Sequence, residues 1–141
     1  MLSYLSKYIA GIYRQSKIDI NQQFQSLGLK ATEGDLLLFL HDNPGLSQKK
    51  VAVLMVLDPS LIGRDIQHLI KLDYVVRRPS ETDSRVNLVY LTPLGEQLVQ
   101  NLRQILTQWW TTLFAETATA DQTETGVQLE QLYDTIIRRN L

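Results

Sequence analysis

Up to about residue 72 the apolar residues recur in threes and fours, and over residues 74–91 they do not. Tyr74-Val75-Val76 and the run from Val86 to Leu91 are short and rich in β-branched and aromatic residues, the composition of strands. Between them lies Arg77-Arg78-Pro79-Ser80-Glu81-Thr82-Asp83-Ser84-Arg85, polar and turn-rich. The pattern predicts a hairpin with an extended tip, and the rest of the chain has to seat it among helices.

Those helices are legible from spacing and punctuation. From Leu5, apolar residues fall at Ile9, Ile12, Ile20, Phe24 and Leu27, one face of a long helix that Gly28 ends. Thr32, with Asp35 three residues on, marks a second start; the run Leu36 to Leu40 follows, and Asn43-Pro44-Gly45 stops it. Ser47 caps a short third helix reaching about Leu54. Asp58-Pro59 is the strongest start in the chain: the carboxylate accepts from orphan N–H groups, and proline at the first helical position loses nothing. The helix it opens buries Ile62, Ile66, Leu69 and Ile70. After the hairpin, Thr92-Pro93 starts a long fifth helix through Leu94, Leu98, Leu102, Ile105, Trp109 and Leu113. A sixth carries Leu129, Leu132, Tyr133 and Ile136. The expected fold is mainly α with a small β wing: six helices and a β-hairpin.

Composition narrows the chemistry. The 141 residues contain no cysteine, which removes disulfides, thiolate metal sites and cysteine nucleophiles. The longest apolar run, Val51 to Leu57, is far short of the ~18 residues a membrane span requires. No apolar signal core follows the N-terminus, so a cytoplasmic protein without a membrane partner is expected. His41 and His68, the only histidines, have no ligand cluster or catalytic partners around them. His41 reads as a group satisfying helix carbonyls and His68 as a surface or phosphate-facing residue. Neither an enzyme nor a cofactor is expected. Net charge is −1, but residues 1–43 sum to zero, 44–95 to +2 and 96–141 to −3. Only the middle segment is basic.

That segment has the plan of a winged helix-turn-helix: two short helices, the second well capped, then a polar hairpin. A B-DNA major groove, ~12 Å wide, admits one α-helix and is read by side chains on its outer face. On the helix opened by Asp58, the face opposite the buried stripe carries Ser60, Gly63, Arg64, Gln67 and Lys71, with His68 beside it. Arg64 suits the two acceptors of guanine, Gln67 suits adenine, and Ser60 suits phosphate or base. Leu61 is either a thymine-methyl contact or a packing residue. Gly63 costs ~1 kcal/mol against alanine within a helix, so it needs a reason: close approach to DNA or close packing on a neighbouring helix. Phosphate contact is expected of Ser47, Lys49, Lys50, Arg77 and Arg78, with solvated charge as the alternative for the cations.

At the hairpin tip, Asp83 precedes Arg85 by two residues, a spacing that lets the carboxylate hold the guanidinium in one orientation. A long side chain held this way enters a minor groove with less entropy to lose. The alternative is a surface ion pair worth ~0–1 kcal/mol. The position directly after a recognition helix favours the wing reading.

Leu69 to Gly95, LIKLDYVVRRPSETDSRVNLVYLTPLG, resembles the wing signature of the multiple-antibiotic-resistance-regulator (MarR) family. There an Asp-x-Arg tip leads through a strand into Leu-Thr-x-x-Gly, here Asp83, Arg85, Leu91, Thr92 and Gly95. Ser47-Gln48, Ala52, Pro59-Ser60 and Arg64 match the family's helix-turn-helix pattern. The resemblance implies a homodimer built on the first, fifth and sixth helices, with residues 1–30 and 93–141 for dimerisation and 31–92 for DNA binding. It implies a regulator, read as a repressor, on a palindromic operator in double-stranded DNA, often relieved by a small aromatic effector. It places Ser60, Gly63, Arg64 and Gln67 on the base-reading helix and Asp83 and Arg85 at the wing tip. The chain departs from the pattern in several places. Asp73 stands where the family usually has glycine, and Leu61 and Gly63 stand where hydroxylic residues are frequent. Gly34 stands where a large residue is common, either enlarging a cleft or relieving crowding. The missing cysteine excludes the peroxide-sensing branch.

Tyr4, Tyr8, Tyr13, Trp109, Trp110 and Phe114 all lie on the outer helices. They read as core or dimer interface, or in part as an effector pocket, for which Tyr13, Gly34 and Trp109 are the candidates. The reading from a different class is a helical dimeric protein-interaction module without DNA binding.

Overall fold

The computed structural model describes residues 1–141. A single 3-10 turn, Leu2–Tyr4, leads into α1 (Leu5–Ser26), α2 (Ala31–Asp42), β1 (Leu46–Ser47), α3 (Gln48–Met55) and α4 (Pro59–Lys71). Then come β2 (Val75–Pro79), β3 (Asn87–Leu91), α5 (Pro93–Glu116) and α6 (Gln122–Asn140). The expected six helices and hairpin are present. The hairpin belongs to a three-stranded antiparallel sheet of order β1-β3-β2, in which Leu46 pairs with Val89 and Val76 with Tyr90. β1 has two residues and no periodicity, which is why spacing alone does not reveal it.

Three caps form as their residue types dictate. The Ser47 side chain accepts from the Lys50 N–H, Asp58 from those of Ser60 and Leu61, and Thr92 from that of Gly95. The second helix starts differently from the expectation at Thr32. Lys30 is the capping position, and Glu33 reaches back to accept its N–H at 2.9 Å. Asp35 instead turns to α1, pairing with Lys17 at 2.5 Å and accepting from the Tyr13 hydroxyl at 3.2 Å.

The core sits around α2. Leu36, Leu37 and Leu40 are buried against Ile20 and Phe24 of α1, Val51 and Ala52 of α3, and Ile62, Ile66 and Leu69 of α4. Leu98, Val99 and Leu102 close it from α5. The end of α1, α2, α3, α4 and the base of α5 therefore share one interior. The outer ends of the molecule do not: α6 buries no residue at all.

Two non-glycine residues adopt positive φ. Asp73 (φ 64) turns the chain from α4 into β2, and aspartate tolerates this region better than most residues. Val56 (φ 56) ends α3 in the left-handed region, where a β-branched residue is strained by ~1–3 kcal/mol. Its N–H bonds to the Val53 carbonyl, and that of Leu57 to Ala52, which fixes the turn between α3 and α4.

Candidate nucleic-acid interface

α4 separates its two faces cleanly. Ile62, Ile66 and Leu69 are buried and Ile70 is half-buried, while Ser60, Arg64, Gln67 and Lys71 are exposed along the other side. Arg64 and Gln67 make no side-chain hydrogen bond, so their donors are available to a ligand. Ser60 donates its hydroxyl to Asp58, which holds the side chain at the helix start. Those bonds keep the Asp58 carboxyl below its usual range. Leu61 is half-buried.

Gly63 has a packing reason. A Cβ there would lie 2.8 Å from the Gln48 side-chain nitrogen. Gln48 fills the space, and its Oε1 accepts from Arg77 Nη2 at 3.0 Å. A residue on α3 thus bridges α4 and β2, and the missing side chain on α4 makes room for it. Nothing in the spacing of the sequence points to Gln48 as a brace, because its partners come from two other elements.

His68 departs from its expected place. Its Nδ1 pairs with Glu33 Oε2, and Glu33 is fully buried, so the ring is turned partly inward as a tie between α4 and α2. Glu33 needs such partners: a buried carboxylate is costly unless hydrogen-bonded, and the Lys30 N–H and His68 supply the bonds. One turn earlier on α4, Asp65 is also buried, and its Oδ2 has no hydrogen-bond partner. Burial raises the Asp65 carboxyl above its usual range and the Glu33 charge adds to this, against a hydrogen bond from Thr32 that lowers it. His41, expected to satisfy helix carbonyls, instead pairs through Nδ1 with Glu96 of α5 at 2.5 Å.

At the wing the tip is shorter than the sequence suggests. Arg77, Arg78 and Pro79 extend β2, and the turn closes where the Ser80 N–H bonds to Val86. Arg77 is held by Gln48, and the Arg78 guanidinium lies 5.3 Å from the Tyr90 ring centroid. Asp83 grips Arg85 with both oxygens, accepting from Nε at 3.1 Å and Nη2 at 3.2 Å, and from the Arg85 N–H at 3.1 Å. These bonds hold the Asp83 carboxyl below its usual range. The Arg85 side chain is 89% exposed, so the pair orients the guanidinium without burying it. Lys49 and Lys50 stand exposed in the first turn of α3 beside Ser47. An exposed polar helix face, flanked by a cationic helix start and an oriented arginine, is the geometry of groove and phosphate contact.

Residues 27–86, which span α2, α3, α4, β2 and the wing tip, match the sequence profile of the MarR family. Over that span the chain is similar to the winged helix-turn-helix of MarR-family regulators. A MarR transcriptional regulator from Methanosarcina mazei has the same fold across nearly the whole molecule. The TM-score is 0.84 at 25% identity, covering 96% of this chain and 98% of that one. A mutant MarR from E. coli in complex with operator DNA superposes with a TM-score of 0.74 at 21% identity, covering 94% of this chain and 92% of that one. Among related sequences, the HTH-type transcriptional regulator BilQ of Clostridium symbiosum is 24% identical over 107 residues, 72% of each chain. A Thauera aromatica protein named for regulation of the hcr operon is 33% identical over 97 residues, 64% of this chain. Those residues span 58% of the Thauera protein's length. No helix is long and apolar enough to cross a membrane.

The effector-pocket candidates do not come together. Gly34 faces Phe24 so closely that a Cβ would sit 2.2 Å from its ring, so the glycine relieves crowding and opens no cleft. Tyr13 is held by Asp35; the pKa of its hydroxyl is pushed up to about 12, chiefly by burial and then by the Asp35 charge. Of the three, only Trp109 lines a cleft, of about 500 Å³ between α1 and α5, with no residue of α2 in its wall.

Proposed function

We propose that this chain is a DNA-binding transcriptional repressor that grips a palindromic operator as a homodimer and is released by a small aromatic ligand. The observation that carries the DNA reading is the exposed face of α4 combined with Arg85 held outward by Asp83. In this reading Ser60, Leu61, Arg64 and Gln67 enter the major groove. Gly63 and His68 hold the helix in place, and Arg85 reaches the adjacent minor groove. Ser47, Lys49, Lys50 and Arg78 meet phosphates, with Arg77 fixed behind them. The E. coli MarR mutant bound to operator DNA supports the reading by likeness of fold.

The homodimer reading rests on unpartnered apolar surface. α1 exposes Leu5, Tyr8, Ile9 and Ile12, and α6 exposes Val127, Leu129, Leu132 and Ile136. Apolar area in water is unfavourable by ~25 cal/mol per Å², and a second copy supplies a matching surface. Residues 1–30 and 93–141 then form the dimerisation region, residues 31–92 bind DNA, and the protein works in the cytoplasm. Two recognition helices ~34–36 Å apart would meet successive major grooves.

Fluorescence anisotropy on duplexes from the upstream region of its own gene tests this. The expected result is tight binding that weakens with salt at a log–log slope of ~0.9 per phosphate neutralised. A protein-interaction module without DNA binding predicts no such affinity even at low salt, and that result would overturn the proposal.

A further inference from the structure

The cleft between α1 and α5 has an unusual charge for a chain expected to answer to aromatic effectors. Its apolar wall is Ile20, Ile105, Trp109 and Leu113, and its charged groups are Asp19 and Glu116. No lysine or arginine lines it, and neither carboxylate takes part in an ion pair anywhere in the molecule. Asp19 is nevertheless held in place. It accepts the Trp109 indole N–H at 2.8 Å on one oxygen and the Gln15 amide at 2.8 Å on the other. These bonds keep its carboxyl below the usual range, so it is ionised at neutral pH. The same bond to Trp109 fixes the ring, which is half-buried and packed edge-on against Trp110 with centroids 5.0 Å apart.

A fixed indole beside two uncompensated carboxylates is suited to a positive charge. A cation over an indole face gains ~0.5–2 kcal/mol from the ring quadrupole, and the carboxylates add a Coulomb attraction that an anion would meet as repulsion. A volume of about 500 Å³ is in the range of small-molecule sites. We infer that the α1–α5 cleft binds an aromatic or hydrophobic organic cation, an amine or quaternary ammonium, and discriminates against carboxylate-bearing aromatics. The inference deepens the effector reading proposed above by naming the ligand class.

Benzyltrimethylammonium and benzoate share a phenyl ring and differ in charge sign, so they are the probes. In the full-length chain carrying Trp110→Phe, Trp109 is the single indole and its fluorescence reports the cleft. Calorimetric titration of the unsubstituted protein checks the ranking. The expected result is saturable quenching by benzyltrimethylammonium, at least tenfold tighter than benzoate and weakening with salt. In Asp19→Asn/Glu116→Gln, which keeps an acceptor for the Trp109 N–H, cation affinity should drop at least tenfold while benzoate binding holds or improves. Benzoate binding as well as the cation overturns the inference and leaves the effector reading standing. Saturation by neither probe overturns both, while operator binding, measured separately without ligand, is untouched. If the double variant changes the dimer dissociation constant but not cation affinity, the cleft is a contact between copies, and the inference fails.

Discussion

α4 and α6 are both amphipathic helices, and the molecule treats them in opposite ways. α4, thirteen residues long, buries Ile62, Asp65, Ile66 and Leu69 inside its own chain and leaves a polar face in water. α6, nineteen residues long, buries none and leaves Val127, Leu129, Leu132 and Ile136 exposed. α6 touches the rest of the fold at few places, among them the Tyr133 hydroxyl, which donates to the Leu54 carbonyl at the end of α3 at 2.9 Å. One helix is complete within the chain, and what it offers to a partner is hydrogen-bonding groups. The other is incomplete, and what it offers is apolar area. A helix's apolar stripe therefore shows that something will cover it, without saying whether the cover is the same chain or another.

The largest effect should come from exchanging those roles. Ile66→Ala removes a fully buried side chain at the centre of the shared core and should cost ~2–5 kcal/mol in denaturant unfolding. Leu132→Asp on α6 should cost the isolated fold little and yet convert a sedimenting dimer to monomer. If Leu132→Asp leaves the dimer intact, α6 is not the unfinished helix described here.

On the finished side, Arg64→Ala should cost ~1–3 kcal/mol on an operator and relax preference at one base pair per half-site. Equal losses on operator and random duplex would reassign Arg64 to phosphate contact. Arg85→Ala should lower affinity and reduce the salt slope by ~0.9 for each phosphate the guanidinium neutralises, with thermal stability unchanged. Asp83→Asn should produce a smaller loss, since the guanidinium remains and only its orientation is released. If the Asp83 variant equals wild type on DNA, the bonds to Arg85 are a surface pair and nothing more.

The smallest effect concerns the inner face of α4. Asp65 binds its proton more tightly folded than unfolded, because burial and the Glu33 charge oppose ionisation. A group of this kind destabilises the fold as pH rises past its unfolded value and through its folded one, and does not do so below both. A hydrogen bond from Thr32 and the charges of Lys30 and Arg64 act the other way and temper the effect. Asp65→Asn should therefore gain on wild type between pH 4 and pH 7, by ~1 kcal/mol or less. Melting temperatures at the two pH values check this, and a constant difference would show that Asp65 titrates alike in both states.

The elements that local chemistry announces are where the sequence places them. Ser47, Asp58 and Thr92 cap their helices, Asp73 takes the left-handed turn, and Asp83 grips Arg85. Each of these bonds joins residues at most three apart, so spacing and residue type suffice to find it. Apart from the start of α2, where Lys30 and Glu33 stand three apart, the misses share the opposite property. Glu33 with His68, His41 with Glu96, and Gln48 with Arg77 join residues 35, 55 and 29 positions apart. β1 exists only because β3 is beside it.

What the linear chain determined by itself is a capped helix with one polar face, a wing with an oriented arginine, and a core stripe for each helix. All of these follow from short-range sterics, hydrogen bonding and the 3.6-residue period. Only the folded molecule decided that Gly34 and Gly63 leave spaces filled by Phe24 and Gln48, and that His68 turns toward a buried carboxylate. It also decided that Trp109 stands in an acidic cleft. Those outcomes depend on which distant side chains close packing brings within contact distance, and no local rule contains that information.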